Sequence, residues 1–203
     1  NLACLPLIRV KLFLLGKTDN VLFINLHHII TDGWSTGIFF REWSNVYQGF
    51  LNNTRFPLPD LSIQYADFAF WQREKLNKEN LKSSIDYWEK QLLDSPPLLE
   101  LPYDRPRPPA QTFNGAALHF HIEYSLTRKL NHLARESNSS LFMVLASAFN
   151  ILLFRYSNQD DILIGIPSAN RNRKEVEQLI GFFVNTLVLR TNLSDNPVFT
   201  ELL

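Results

Sequence analysis

Two apolar runs near the start of the chain alternate with the two-residue period of β-strands. They cover residues 8–15 and 21–28, and the five residues between them include Gly, Asp and Asn, which are typical of turns. The pattern therefore predicts a β-hairpin. In its second strand, His28 lies on the face that carries the Leu and Ile side chains at even positions, and His27 lies on the opposite face.

The pattern then changes to the spacing of an amphipathic helix. Asp32-Gly33 ends the second strand, Ser35 is the predicted N-cap, and apolar residues recur at helical intervals from Phe39 to Phe50. Further helices are predicted by similar spacing over 63–91, 126–134 and 141–156.

β-rich runs return in the second half of the chain. Residues 118–123 alternate as a strand, with His119 and His121 on a face that we expect to meet solvent. Two further strands are predicted at 162–166 and 182–189, with a polar loop between them.

Six prolines between residues 94 and 112 indicate a linker or crossover. The parts on either side mix strands and helices, and each has too few strands to close a sheet by itself. The predicted fold class is α/β, with two incomplete lobes at 1–95 and 118–203 joined by a proline-rich crossover at 96–117.

Composition narrows the possible functions. Twenty Lys and Arg balance twenty Asp and Glu, so the basic excess of a nucleic-acid or membrane-surface protein is missing. Apolar residues make up 45% of the chain and charged residues 20%, which indicates a globular protein. The single cysteine, Cys4, is expected to be a small buried apolar residue.

No apolar run reaches the roughly 18 residues of a membrane helix, and no leader precedes the first strand, so we expect a cytoplasmic piece of a longer protein.

The segment HHIITDG at 27–33 is the strongest candidate for chemistry. A histidine at the end of a buried strand would place an imidazole at a cleft, where it can accept a proton from an attacking amine or hydroxyl or hold it by a hydrogen bond. Asp32 would orient the turn, and Gly33 would permit close approach of substrate or backbone. The alternative is a pair of strand-end histidines with structural partners. Because adjacent strand residues point to opposite faces, His27 and His28 would not share a metal ion, and no metal is expected.

Four motifs carry a resemblance to a known family. HHIITDGWS at 27–35 resembles the HHxxxDG signature of the condensation domains of nonribosomal peptide synthetases, and YADFAFWQ at 65–72 resembles their YxDYAxWQ segment. LPYDRP at 101–106 is similar to the LPTDRPRP crossover, and IGFFVNT at 180–186 is similar to IGxFVNT. The resemblance implies a V-shaped, two-lobed fold like chloramphenicol acetyltransferase, with the active site between the lobes. The family's RHExLRTxF motif would precede Asn1, which implies an internal fragment of one domain that is inactive when isolated.

The resemblance also implies a reaction. An amine on one carrier-bound aminoacyl thioester attacks a second carrier-bound thioester and forms an amide, with His28 as the catalytic residue. The substrates would arrive on phosphopantetheine arms of upstream and downstream peptidyl carrier domains, beside an adenylation domain, and no cofactor would be bound directly. The alternatives are an epimerisation-type relative, which shares the histidine pair, and a non-catalytic relative that recruits partner proteins. Trp34-Ser35 after the glycine resembles the condensation domains that join two L-residues.

Supporting roles fall to charged and amide side chains. Asp32 is predicted to form a structural ion pair with an arginine of the other lobe, with Arg171 as the first candidate and Arg190 as the second. Candidates for lining the substrate tunnel are Trp34, Ser35 and Asn185. The last of these lies in an apolar strand pattern, where its amide needs a hydrogen-bond partner.

Overall fold

The N-terminal hairpin is present. The computed structural model describes residues 2, 5–54, 56 and 58–203, so Cys4 lies outside the described residues. Strands β1 (Ile8–Leu14) and β2 (Asn20–Leu26) pair antiparallel, with Ile8 opposite Leu26. The carbonyl of Asp19 closes the turn by accepting from the amides of Leu15 and Gly16 at 2.9 and 3.1 Å.

The prediction that the second strand extends to His28 is wrong. β2 ends at Leu26, and His28–Ile30 form a single turn of 3₁₀ helix. The cause is a side chain that competes for the backbone: the imidazole Nδ1 of His27 accepts from the amide of Ile29 at 3.0 Å. His28 therefore stands on a turn rather than on the apolar strand face.

The chain packs as two compact units that do not follow the predicted boundaries. One comprises Asn1–Asp86 and Ile166–Leu187, and the other comprises Tyr87–Gly165 and Val188–Leu203. The predicted division at 96–117 misses this arrangement because residues 166–187 pack on partners far away in sequence, which local patterns do not reveal.

The first unit has helices α1 (Gly33–Leu51) and α2 (Tyr65–Lys75), with a core of Phe68, Val176, Leu179 and Phe183. The single helix predicted over 63–91 is two helices, α2 and α3 (Lys78–Leu92). Asn77 separates them because its Oδ1 accepts from the amide of Asn80 at 2.9 Å, as an N-cap side chain does.

The second unit contains α4 (Tyr124–Glu136) and α5 (Leu141–Ser157), followed in the chain by β3 (Asp161–Ser168), β4 (Asn185–Asn192) and the short α6 (Phe199–Leu202). β3 and β4 form a two-stranded sheet, and the chain passes between the units within these strands. The core of the second unit is Leu153, Ile162 and Leu193. Among the described residues, no single helix has the length and hydropathy of a membrane span. Helices α4 and α5 have that length and hydropathy only when taken together, and the pair is bent by 102°.

Arg190 belongs to the second unit and has a partner other than Asp32. Its Nη2 lies 2.7 Å from Oδ2 of Asp161, and its Nη1 donates to the carbonyls of Gln91 and Leu93, both at 2.8 Å. Hydrogen bonds to Asp161 raise the pKa of Arg190 above its ordinary value. As a candidate partner of Asp32, Arg190 was therefore wrong; it fastens the end of α3 to β3.

The strand predicted at 118–123 is also absent. These residues are extended without regular structure, and Phe120, His119 and His121 are all exposed. Alternation gives a strand two faces, but a ladder needs a neighbouring strand, and the described residues supply none here.

Candidate active site

The two histidines of the 27–33 segment have different surroundings. The amide of His27 donates to the carbonyl of Leu7 at 2.9 Å, and its Nδ1 accepts from Ile29. Because Nδ1 is an acceptor, a neutral His27 carries its proton on Nε2. Both contacts fix the start of the 3₁₀ turn, so His27 has a structural task.

His28 offers a free imidazole. Its ring is exposed and makes no hydrogen bond within the described part of the chain. The imidazole makes one aromatic contact, with the ring of Phe182: the centroids lie 5.3 Å apart and the planes meet at 89°, an edge-on arrangement. Both ring nitrogens of His28 are consequently available to an external donor or acceptor.

Asp32 is the N-cap of α1, a role that the sequence pattern assigned to Ser35. Its Oδ1 accepts from the amide of Ser35 at 2.8 Å, and its Oδ2 accepts from the amide of Phe183 at 3.0 Å. The carboxylate also pairs with Arg171, whose Nη2 lies 3.2 Å from Oδ1. Asp32 is 4% exposed, and the Arg171 side chain 1%, so this is a buried ion pair.

Arg171 extends the pair into a network. Its Nη1 donates to the carbonyls of Val176 and Leu179 at 2.6 and 2.8 Å, and its Nη2 donates to Oγ of Ser35 at 2.8 Å. The guanidinium carbon lies 4.0 Å from the ring centroid of Phe183. Arg171 is the partner that the sequence favoured for Asp32, but it lies in the same compact unit rather than in another lobe.

The three tunnel candidates have different exposures. Ser35 is 0% exposed, and its hydroxyl donates to the carbonyl of Gly181 at 2.8 Å, so it cannot line a tunnel. Trp34 is 51% exposed, and its indole N–H donates to the carbonyl of Glu177 at 2.9 Å. Asn185 is exposed, and its Oδ1 accepts from the next amide, that of Thr186, at 2.9 Å. Asn185 was predicted inside an apolar strand at 182–189, whereas β4 begins at Asn185 and the side chain is exposed.

Gly181 and Tyr65 bring the motif at 180–186 into contact with the motif at 65–72. A Cβ on Gly181 would overlap the ring of Tyr65 at Cδ2, which leaves room only for glycine. The Tyr65 hydroxyl donates to the carbonyl of Phe182 at 2.7 Å, and its ring packs edge-on against Phe183 at 5.1 Å. At Gly33, by contrast, a Cβ would meet no described atom within 4 Å, so no close backbone approach explains the glycine there.

Two residues of this site were missed as functional candidates. Tyr65 was assigned no role beyond its place in a helical motif. Phe182 was assigned none, because it occupies the unspecified position of IGxFVNT. The hydroxyl of a tyrosine on a half-buried helix is a usable signal, because such a group needs a partner. Nothing in one sequence indicates that Phe182 meets a histidine 154 positions away.

The electrostatics of Asp32 follow from its contacts. Burial by itself raises the pKa of the carboxyl, but the amides of Ser35 and Phe183 and the Arg171 charge outweigh burial, so the pKa is below its ordinary value of 3.8. For Arg171, burial lowers the pKa of the guanidinium and Asp32 partly restores it. Both groups are charged at neutral pH.

The lowered pKa of Asp32 predicts a pH-dependent stability. The contribution of this carboxylate is present above pH 3.8, its ordinary value, and is lost as the pH falls through the lower value of the folded state. Urea unfolding of the complete domain from about pH 6 to about pH 2 should show the stability gap between wild type and Asp32→Asn shrinking towards the acid end. A gap of constant size across this range would contradict the assignment.

The group that this site offers to a substrate is the exposed imidazole of His28. No cluster of three or more His, Cys, Asp or Glu side chains within the described residues could hold a metal ion.

Comparison with known proteins adds an independent line of evidence. The sequence profile of the family described as "Condensation domain" matches residues 1–203. The chain is 50% identical to one of the linear gramicidin synthase proteins of Brevibacillus parabrevis over 198 residues, which are 98% of this chain and 4% of that protein. It is also 46% identical to malpibaldin synthetase of Mortierella alpina over 198 residues, again 98% of this chain and 4% of that protein.

Many solved structures are similar to the described fold, and two of them show the extent of the likeness. The X-domain from teicoplanin biosynthesis in complex with OxyB matches with a TM-score of 0.85 and 25% identity, over 97% of this chain and 44% of that one. The holo form of a four-domain nonribosomal peptide synthetase bound to AMP and glycine matches with a TM-score of 0.83 and 25% identity, over 97% of this chain and 15% of that one. The chain thus spans a small fraction of the synthetases that it resembles.

Proposed function

Because the chain belongs to the condensation-domain family of nonribosomal peptide synthetases, we propose that it supplies the histidine motif for amide-bond formation between carrier-bound thioesters. The predicted α/β, chloramphenicol-acetyltransferase-like fold class is confirmed by the structural matches, with this chain forming part of the domain. The observation that carries the proposal is the difference between the histidines. The Nδ1 of His27 accepts a hydrogen bond from the backbone amide of Ile29, whereas the imidazole of His28 has no hydrogen-bond partner in the described residues.

In the proposed reaction, the amine nitrogen of one aminoacyl thioester attacks the carbonyl carbon of the other thioester. A C–N bond forms, the C–S bond breaks, and the departing sulfur takes a proton as a thiol. His28 holds the attacking amine by a hydrogen bond and receives the proton that the amine loses. Since an α-ammonium has a pKa of about 8, much of the rate comes from placing two tethered reactants together.

The partners follow from this reaction. We propose that peptidyl carrier domains on either side bring the substrates on phosphopantetheine arms, with an adenylation domain nearby and no cofactor held by this chain. The resemblance to a four-domain synthetase supports this setting. The chain by itself, as a small part of such a synthetase, is proposed to be inactive. Trp34 and Asn185 are accessible for contact with an arm, and Ser35 is not.

The test is a single-turnover reaction between two loaded carriers in the complete domain. We expect a dipeptidyl thioester on the downstream carrier with the upstream α-carbon unchanged in configuration. Inversion without amide formation would favour the epimerisation-type relative. If the domain binds a carrier or another protein tightly and catalyses neither reaction, the recruiting relative would be favoured; the X-domain that this chain resembles was solved in complex with OxyB.

A further inference from the structure

Three consecutive residues, Gly181 to Phe183, are fixed by three different side chains. The hydroxyl of Ser35 donates to the Gly181 carbonyl at 2.8 Å and accepts from its amide at 3.0 Å. The next carbonyl, that of Phe182, accepts from the Tyr65 hydroxyl at 2.7 Å, and the Phe183 amide donates to Asp32 at 3.0 Å. We call this stretch the 181–183 clamp.

The three residues of the clamp differ in where their side chains lie. Gly181 has no side chain, and a Cβ there would collide with Tyr65. Phe183 is buried in the core under Arg171. Phe182 is 38% exposed, and its ring meets His28 edge-on at 5.3 Å. The one side chain that the clamp presents outward is therefore the one that contacts the imidazole.

We propose that Phe182 is a positioning residue that sets the orientation of His28, and that Tyr65 supports it by fixing the Phe182 carbonyl. The proposal rests on the proposed function, in which His28 meets the attacking amine. It also gives the buried Asp32–Arg171 network a connection to the chemistry, because Asp32 and Ser35 hold the residues on both sides of Phe182.

The physical reason is rotational freedom. An exposed imidazole without a hydrogen bond can turn about two side-chain torsions, and each turn moves its nitrogens away from the amine. An edge-to-face aromatic contact favours one orientation by about 1 kcal/mol, which corresponds to about a fivefold difference in population. Productive alignment should therefore depend on the ring of residue 182 rather than on its bulk.

The test uses the complete condensation domain with two loaded carriers. Phe182→Leu keeps an apolar side chain and removes the ring, and should lower kcat about fivefold with KM for the carriers changed less than about twofold. Phe182→Tyr keeps the ring and should restore kcat. The matched control is Phe40→Leu, which removes one ring of an edge-on pair with Phe39 at 5.5 Å in α1 and should leave kcat unchanged.

A second readout does not need turnover. The imidazole protons of His28 should show a ring-current shift by NMR in wild type and Phe182→Tyr, and this shift should be lost in Phe182→Leu. Tyr65→Phe retains its ring against Gly181, and should reduce the shift and kcat together; it serves as the second variant if Phe182→Leu does not fold.

The outcomes separate the two proposals. An unchanged kcat in Phe182→Leu, or a kcat in Phe182→Tyr as low as in Phe182→Leu, would overturn the positioning role. So would the absence of a ring-current shift in wild type. A wild-type domain that shows the shift but forms no amide bond would instead overturn the proposed function.

Discussion

Replacing His28 with alanine is expected to slow amide-bond formation by about 100-fold to 10,000-fold while both carrier domains remain loaded. The imidazole is exposed, it has no hydrogen-bond partner within the described residues, and the ring of Phe182 contacts it edge-on. In the proposed function, carrier loading takes place on other domains, so its rate should not change. Rapid-quench measurement of dipeptidyl thioester, with carrier loading followed by intact-protein mass spectrometry, separates the two steps.

The matched control is His27→Ala. This change removes the acceptor for the Ile29 amide and should lower the free energy of unfolding by about 1 kcal/mol, as loss of a cap does. Its effect on the chemical step should be much smaller than that of His28→Ala. Dipeptide formation at the wild-type rate in His28→Ala, or equal losses in both variants, would remove His28 from the proposed role.

Asp32→Ala is expected to lower the free energy of unfolding by about 3–5 kcal/mol. The substitution leaves the guanidinium of Arg171 buried without its carboxylate, and it also removes the acceptor for the amides of Ser35 and Phe183. Urea unfolding of the complete domain measures the loss, and a reduced melting temperature should accompany it. Because Phe183 follows Phe182 directly, the activity of any folded fraction should fall as well.

A second ion pair provides the comparison. Asp161 and Arg190 meet at 2.7 Å, but their side chains are partly open to solvent. Solvent screens such a pair, so Asp161→Ala should cost clearly less stability than Asp32→Ala. If Asp32→Ala unfolds at the same urea concentration as wild type and loses only turnover, the structural role of the carboxylate is wrong.

The sequence was most informative where one local signal determined the structure. Turn residues between two alternating runs were enough for the β1–β2 hairpin, and helical spacing over 141–156 was enough for α5. The first candidate for the partner of Asp32, Arg171, does pair with it, although both residues lie in one compact unit rather than in two lobes.

Predictions failed where two local solutions compete or where a distant partner decides. Asp32 and Ser35 are both good N-cap residues, and the choice between them depends on Phe183 and Arg171, which lie far along the chain. The pattern at 182–189 continues a strand alternation, but Asp32 and Tyr65 take the amide of Phe183 and the carbonyl of Phe182, so the strand starts only at Asn185. For His28, strand alternation predicted an apolar face, and one imidazole–amide hydrogen bond at His27 changed the geometry.

The grouping of Ile166–Leu187 with the first 86 residues has a consequence for recombining synthetases. A chimaera joined in the proline-rich stretch between Asp94 and Thr112 would take Asp32, Ser35 and Tyr65 from one parent and Arg171, Gly181 and Phe182 from the other. Such a junction looks neutral along the sequence, yet it would mix two parental halves of a single hydrogen-bonded network. Exchanging residues 166–187 together with 1–86 keeps the network from one parent, so hybrid enzymes with that double junction should retain more activity than hybrids joined at the prolines alone.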